Sequence, residues 1–300
     1  MRTRNTYVAL LLALAAGTAL TIVSCTRDAT APIPVAAAAP DPQITKAKVE
    51  DLRQKYGWVG KYHTDGLEYV HTQLSKSDGK LRTRAGMCKL ATKALKEFHQ
   101  SAGRGEVPTA LMGPSFQNEA CISEAEVAPI RQTVLALPPG TPRRLDLSAA
   151  ATKYMDRIGA VVYTSTSESD FISQVNAIEY QAAASLPESE AGAVSAVASV
   201  ARSSVQYWNQ NLVAWSTMPG ALPLAYSREV GGAPGQPVAG YWPEWFSNPV
   251  ASGFGKVLGA DILAGARTFY LAWELGPVSW NAVAASALFA SITTAIALLF

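Results

Sequence analysis

The chain has 300 residues, 49% of them hydrophobic, with 25 basic and 23 acidic side chains. So nearly neutral a total argues against a nucleic-acid binder, and the length suffices for one large domain or two small ones with a real core. The charge is unevenly spread: residues 46–104 hold 13 basic and 6 acidic side chains, and residues 106–229 hold 7 and 12.

Arg2 and Arg4 open the sequence, followed by an uncharged run from Asn5 to Cys25 that is densest in Leu and Ala between Tyr7 and Ala16. A basic segment followed by an apolar one is the layout of a secretory signal. A spanning helix needs about 20 predominantly apolar residues, whereas Gly17, Thr18, Thr21 and Ser24 dilute this run. Ile22-Val23-Ser24-Cys25 resembles the bacterial lipobox. The resemblance implies that residues 1–24 are removed as a signal peptide. It also implies a diacylglycerol thioether on Cys25 and a lipoprotein held to the membrane by acyl chains such as palmitate, since two or more chains anchor stably where one does not. An Asp directly after the lipidated cysteine favours inner-membrane retention; Thr26 stands there, which implies the outer membrane where the organism has one. Residues 25–42, rich in Ala and Pro, read as an extended tether.

The next stretch, residues 43–218, is patterned as a helical domain. Ile44, Ala47, Leu52 and Tyr56 define a first helix that Gly57 can end, and Val59, Tyr62, Leu67, Val70 and Leu74 define a second, from Trp58 to Leu74. Thr83 can cap a third helix reaching about His99, with Met87, Ala91, Ala94, Leu95 and Phe98 on its stripe and Cys88 beside it. Ser123 and Glu126 have capping-box spacing for a short helix through Leu137, closed by PPGTP. Leu147 to Val162 is amphipathic, with Val161 to Thr164 open to a strand alternative. Asp170 can cap a helix that Pro187 halts. Glu188 to Trp215 then has Val194, Val197, Ala201, Val205, Trp208, Leu212 and Trp215 at steps of three and four, a stripe suited to a bundle seam.

Residues 219–254 form a long Gly/Pro-rich stretch holding Tyr241, Trp242, Trp245 and Phe246. Loops of that length in a compact domain are functional or disordered. These aromatics can either stack on a sugar or partner surface or pin the loop to its own bundle. Residues 255–300 read as an apolar helical hairpin turned at Gly276-Pro277, its second arm, Val278 to Phe300, being 23 residues without a charge. That arm is long enough to cross a bilayer. Its wealth of Ala and Ser, and the small-residue row Ala282, Ser286 and Ala290, favour a helix packed on the bundle over an inserted one. The expected fold is therefore all-α: a helical bundle with a small-residue-rich C-terminal hairpin.

Chemistry-bearing motifs are sparse. His63 sits on an apolar stripe and reads as a hydrogen-bonded core histidine. Glu68 and His71 have the Glu-x-x-His spacing of di-iron bundles, yet no second copy exists, so a surface pair explains them better. Neither a cofactor nor a metal site is expected, and no nucleophile elbow, phosphate loop or zinc-protease motif occurs. Cys88 and Cys121 lie in an exported chain, where a bridge closing about 33 residues contributes roughly 3 to 4 kcal/mol. A buried free thiol at Cys88 is the alternative, and the spacing leaves both open. The basic group Lys76, Lys80, Arg82, Arg84, Lys89, Lys93 and Lys96 reads as a solvated helix face or as a contact for anionic headgroups. Gly60-Lys61-Tyr62-His63, Ser204-Val205-Gln206-Tyr207-Trp208 and Gly259-Ala260-Asp261 are loosely similar to segments of uncharacterised exported helical proteins of bacteria. That similarity implies no function. The reading is a non-enzymatic cell-envelope lipoprotein, attached through Cys25, with an envelope protein or glycan as partner. A membrane-active protein inserting its C-terminal hairpin is the alternative, and a hydrolase with a site invisible in sequence comes third.

Overall fold

The computed structural model describes residues 41–77, 83–104, 113–122, 147–219, 221, 257–262, 264–266 and 280–299. The expected signal peptide, Cys25, the expected tether up to residue 40, the segment Ser123 to Leu137, the aromatics Tyr241, Trp242, Trp245 and Phe246, and the expected turn at Gly276-Pro277 lie outside the described residues, while Asp41 and Pro42, read as the end of the tether, cap and open the first helix.

Helix α1, Pro42–Ser75, starts where Asp41 Oδ1 accepts from Gln43 N at 2.8 Å, with Pro42 in the first turn. The first two expected helices are thus one helix of 34 residues, and Gly57 does not end it. The reason is tertiary. Ser199 Oγ donates to the Gly57 carbonyl at 3.1 Å, and the Gly60 amide points to the same hydroxyl at 3.2 Å. At Gly60 an added Cβ would collide with the Ser199 carbonyl and the Ser203 hydroxyl, so glycine lets two backbones approach closely. That packing outweighs the roughly 1 kcal/mol a mid-helix glycine costs relative to alanine.

Helix α2, Arg84–Ser101, is capped by Thr83, whose hydroxyl accepts from Gly86 N at 3.2 Å. The short α3, Gly113–Gln117, follows. Helix α4, Ala149–Val161, ends in a turn closed by Tyr163 N to Ala160 O at 3.0 Å, so the strand alternative at Val161 to Thr164 is excluded. Helix α5, Glu168–Ser185, is capped by Ser167 rather than Asp170. Asp170 stands three residues on, where its amide donates to Ser167 Oγ and its carboxylate turns back onto the Thr166 amide at 2.8 Å. Helix α6, Glu188–Ser216, buries every residue from 190 to 201, which makes it the central helix.

Packing is organised around α1 and α6. They contact each other most extensively; α5 and α4 lie against α6, and α2 lies against α1. Two further helices complete the core: α7, Val257–Ala266, and α8, Trp280–Leu299. Helix α8 packs against α1 and α2, with a smaller contact to α6. At Gly66 an added Cβ would run into Leu288 and Phe98, so α8 sits directly on the α1 backbone. Helices α7 and α8 meet through small side chains: Ala260, Ala264 and Ala290 cluster, and Ser286 Oγ reaches the Ala264 carbonyl at 3.4 Å. The fold is all-α, with no strand among the described residues.

One buried ionic node ties α1, α5 and α6 together. The Glu179 carboxylate, almost wholly buried, accepts from Arg53 Nε at 2.8 Å, from Arg202 at 2.8 Å and from Ser195 Oγ at 2.6 Å. Asn176 Oδ1 accepts from both guanidinium groups. Every lone pair the carboxylate needs to fill is therefore supplied, the condition under which a buried charge is tolerated.

Candidate functional site

The densest buried polar cluster outside the Glu179 node lies where α7 and α8 dock on the bundle. It is formed by His63 of α1, Ser204 and Trp208 of α6, Asp261 of α7 and Ser291 of α8, all with 0% exposure. Helical spacing explains the geometry. Ser204 and Trp208 are one turn apart and face the same way. Asp261 breaks an apolar helix where an uncompensated carboxylate would be strongly disfavoured.

The Ser204 hydroxyl donates to Asp261 Oδ2, and Trp208 Nε1 donates to Ser291 Oγ at 3.0 Å. His63 Nε2 stands 3.5 Å from Asp261 Oδ2, and among the described residues neither ring nitrogen has a hydrogen-bond partner, nor does Asp261 Oδ1. His63 is thus a core histidine as expected, but not a hydrogen-bonded one. Burial holds its imidazole neutral, with the pKa down at about 3. Burial also pushes the Asp261 carboxyl well above the usual range, and the Ser204, Ser291 and Trp208 dipoles pull it back only in part. Both shifts favour the uncharged forms, a carboxylic acid beside a neutral imidazole.

Serine, histidine and aspartate together invite comparison with a hydrolase triad, and the connectivity argues against it. In a triad the base touches the nucleophile and the carboxylate orients the base. Here the Ser204 hydroxyl contacts the carboxylate, while the imidazole approaches only that same carboxylate. Nothing in this order removes a proton from Ser204, and all three side chains are buried. What the arrangement can do is join four helices through polar contacts within an apolar interface.

The remaining histidines take up packing positions. Tyr62 OH lies 2.5 Å from His99 Nδ1 between α1 and α2, and burial lowers the His99 pKa. His71 is half-buried with its ring against Trp215 at 5.2 Å, while Glu68 is exposed, so the pair is only partly a surface feature. Among the described residues no three His, Cys, Asp or Glu side chains converge as a metal-binding group.

Cys88 and Cys121 are joined in a disulfide. An open groove of about 510 Å3 borders it, lined by Arg84, Lys89, Glu119 and Cys121 among others. Of the basic group, Lys89 and Lys96 pair with Glu119 at 3.9 and 3.3 Å and Lys93 pairs with Glu97 at 3.8 Å, while Lys80 and Arg82 lie outside the described residues. Sequence reading missed the His63–Asp261 meeting. The available signal was Asp261 itself, one carboxylate in a stretch of Leu, Ala and Gly, the kind of residue that demands a partner.

No family model matches the chain, and neither a curated protein nor a solved structure matches it.

Proposed function

We propose that this chain is an exported lipoprotein of the cell envelope, attached to the membrane through lipid on Cys25, with a non-enzymatic binding or structural role. The observation that supports it best is the enclosure of α8: 83% of its most apolar 18-residue window is buried inside the protein. Asp261, Ser286, Ser291 and Thr293 of the hairpin are buried too, with polar contacts supplied by Ser204, Ala264, Trp208 and Phe289 in turn. A hairpin satisfied in this way has little to gain from lipid, which leaves the acyl chains as the attachment. The Ser204–Asp261–His63 order gives no support to hydrolysis. An envelope protein or glycan is the partner class, with Tyr241, Trp242, Trp245 and Phe246 as candidate contacts.

The second reading, insertion of the C-terminal hairpin, draws on the 20-residue length of α8 and its mean hydropathy of 2.1. Cys25→Ala separates the two. Release of the variant into the soluble fraction supports the lipid anchor; retention as an integral membrane protein overturns it in favour of insertion. Crosslinking in cells with the lipidated protein then identifies the partner.

A further inference from the structure

The segment 113–122 is a strap lying across the C-terminal hairpin. Phe116, buried, meets Phe289 of α8 edge-on with ring centroids 5.1 Å apart. Ile122 packs against the cluster of Ala260, Ala264 and Ala290, where α7 and α8 touch. The strap has little regular secondary structure of its own. Its helix, Gly113–Gln117, is only five residues long, far below the length at which a helix is stable alone. Glu119 has a positive φ of 52°, unfavourable for a residue with a side chain. Its pairs with Lys89 and Lys96 are solvent-exposed and individually weak. The bond from Cys121 to Cys88 ties this segment covalently to α2.

That bond is also approachable. Cys88 is fully buried, but Cys121 is only partly so, and it lines the open groove together with Arg84 and Lys89. Arg84 and Lys89 share that groove with Glu119, which pairs with Lys89.

We propose that the Cys88–Cys121 disulfide is a redox latch, opened by a dithiol protein, that holds strap 113–122 over the hairpin. The partner's thiolate attacks Cys121 Sγ. The intramolecular S–S bond breaks, Cys88 leaves with the electron pair and takes up a proton, and a mixed disulfide joins the partner to Cys121. The partner's second thiol then attacks its own sulfur of the mixed disulfide, releasing the Cys121 thiolate. Two electrons pass to the chain and the partner ends as a disulfide. Freed from α2, the strap lifts Phe116 from Phe289 and uncovers the small-residue seam of α7 and α8, while the α1–α6 body keeps its packing.

The test is hydrogen exchange by mass spectrometry on the full-length folded protein, before and after reduction with dithiothreitol and after reoxidation. Exchange in peptides covering 280–299 is expected to rise at least tenfold on reduction and to recover on reoxidation, with peptides from 188–216 unchanged. Equal acceleration in both regions would make the bond a staple of the whole fold and overturn the latch. So would unchanged exchange at 280–299, or a disulfide that resists dithiothreitol until the chain unfolds. Phe116→Ala in the oxidised protein is the second variant: it should raise exchange at 280–299 without reduction, and failure to do so shows that the strap does not cover the hairpin.

Discussion

His63 Nε2 and Asp261 Oδ2 face each other at 3.5 Å across the seam between α1 and α7, with neither side chain exposed to solvent. Burial lowers the His63 pKa to about 3 and raises the Asp261 pKa well above the usual carboxyl range, so in the folded protein each group favours its neutral form. The unfolded chain behaves ordinarily: both groups protonated below about 3.8, one proton between about 3.8 and 6.5, none above.

Stability therefore responds to pH through two opposed slopes. Above about 3.8 the unfolded Asp261 is ionised while the folded carboxyl keeps its proton until its raised pKa is passed, so over that window its contribution falls as pH rises, by at most about 1.4 kcal/mol per unit. Between about 3 and 6.5 the unfolded His63 is protonated and the folded one is not, so its contribution falls as pH falls. The two slopes cancel where they overlap. Asp261→Asn removes the first slope and leaves the second. Urea denaturation of both proteins from about pH 4 to about pH 9 should show their stability difference changing in favour of the variant as pH rises, until the folded Asp261 ionises. Parallel curves would mean that the folded Asp261 titrates like the unfolded one.

Glu179 offers a contrast, because its charge is matched. Truncation to alanine leaves Arg53 and Arg202 without their carboxylate, Arg202 being mostly buried, and Ser195 without an acceptor. The expected loss is about 3 to 5 kcal/mol, the range for breaking a buried pair from one side. Arg53→Ala should cost clearly less, because Arg202 continues to neutralise Glu179 and the Arg53 side chain is 39% exposed. Chemical denaturation with an unchanged m-value gives both figures; similar losses for the two variants would deny Glu179 its central place in the node.

Ser291 accepts the indole proton of the fully buried Trp208. Ser291→Ala removes that acceptor and leaves the indole only the Asp261 carboxyl it already acts on, at up to about 1 to 3 kcal/mol. Loss of Tm and a shift of the indole N–H resonance check the prediction together, and a variant as stable as the parent would show that the indole finds another acceptor.

The helices were legible because their apolar residues recur at helical steps, and the stripe from Val194 to Trp215 is the buried face of α6. The Thr83 cap was readable for a similar local reason, its hydroxyl and the Gly86 amide being three residues apart. What escaped were facts of tertiary contact. Asp170 and Ser167 both suit a cap, and only the backbone around Ser167 decides between them. His63 and Asp261 are far apart in sequence, and no periodicity relates one to the other. The disulfide was equally out of reach, since the spacing of Cys88 and Cys121 suits a bridge or a free thiol.

Gly57 and Gly60 look alike in sequence and should respond oppositely to alanine. At Gly57 an added Cβ meets nothing within 4 Å, so Gly57→Ala gains helix propensity without strain and should stabilise by up to about 1 kcal/mol. At Gly60 the same methyl group strikes the α6 backbone at the Ser199 carbonyl, which cannot move without separating the two longest helices. Overpacking of that kind costs about 1 to 3 kcal/mol, and here it also weakens the Ser199 hydrogen bonds to α1. Thermal unfolding of the two variants beside the parent measures the difference. If both lower Tm alike, Gly57 has a role the helix geometry does not express; if both raise it, α1 and α6 are not in backbone contact at Gly60.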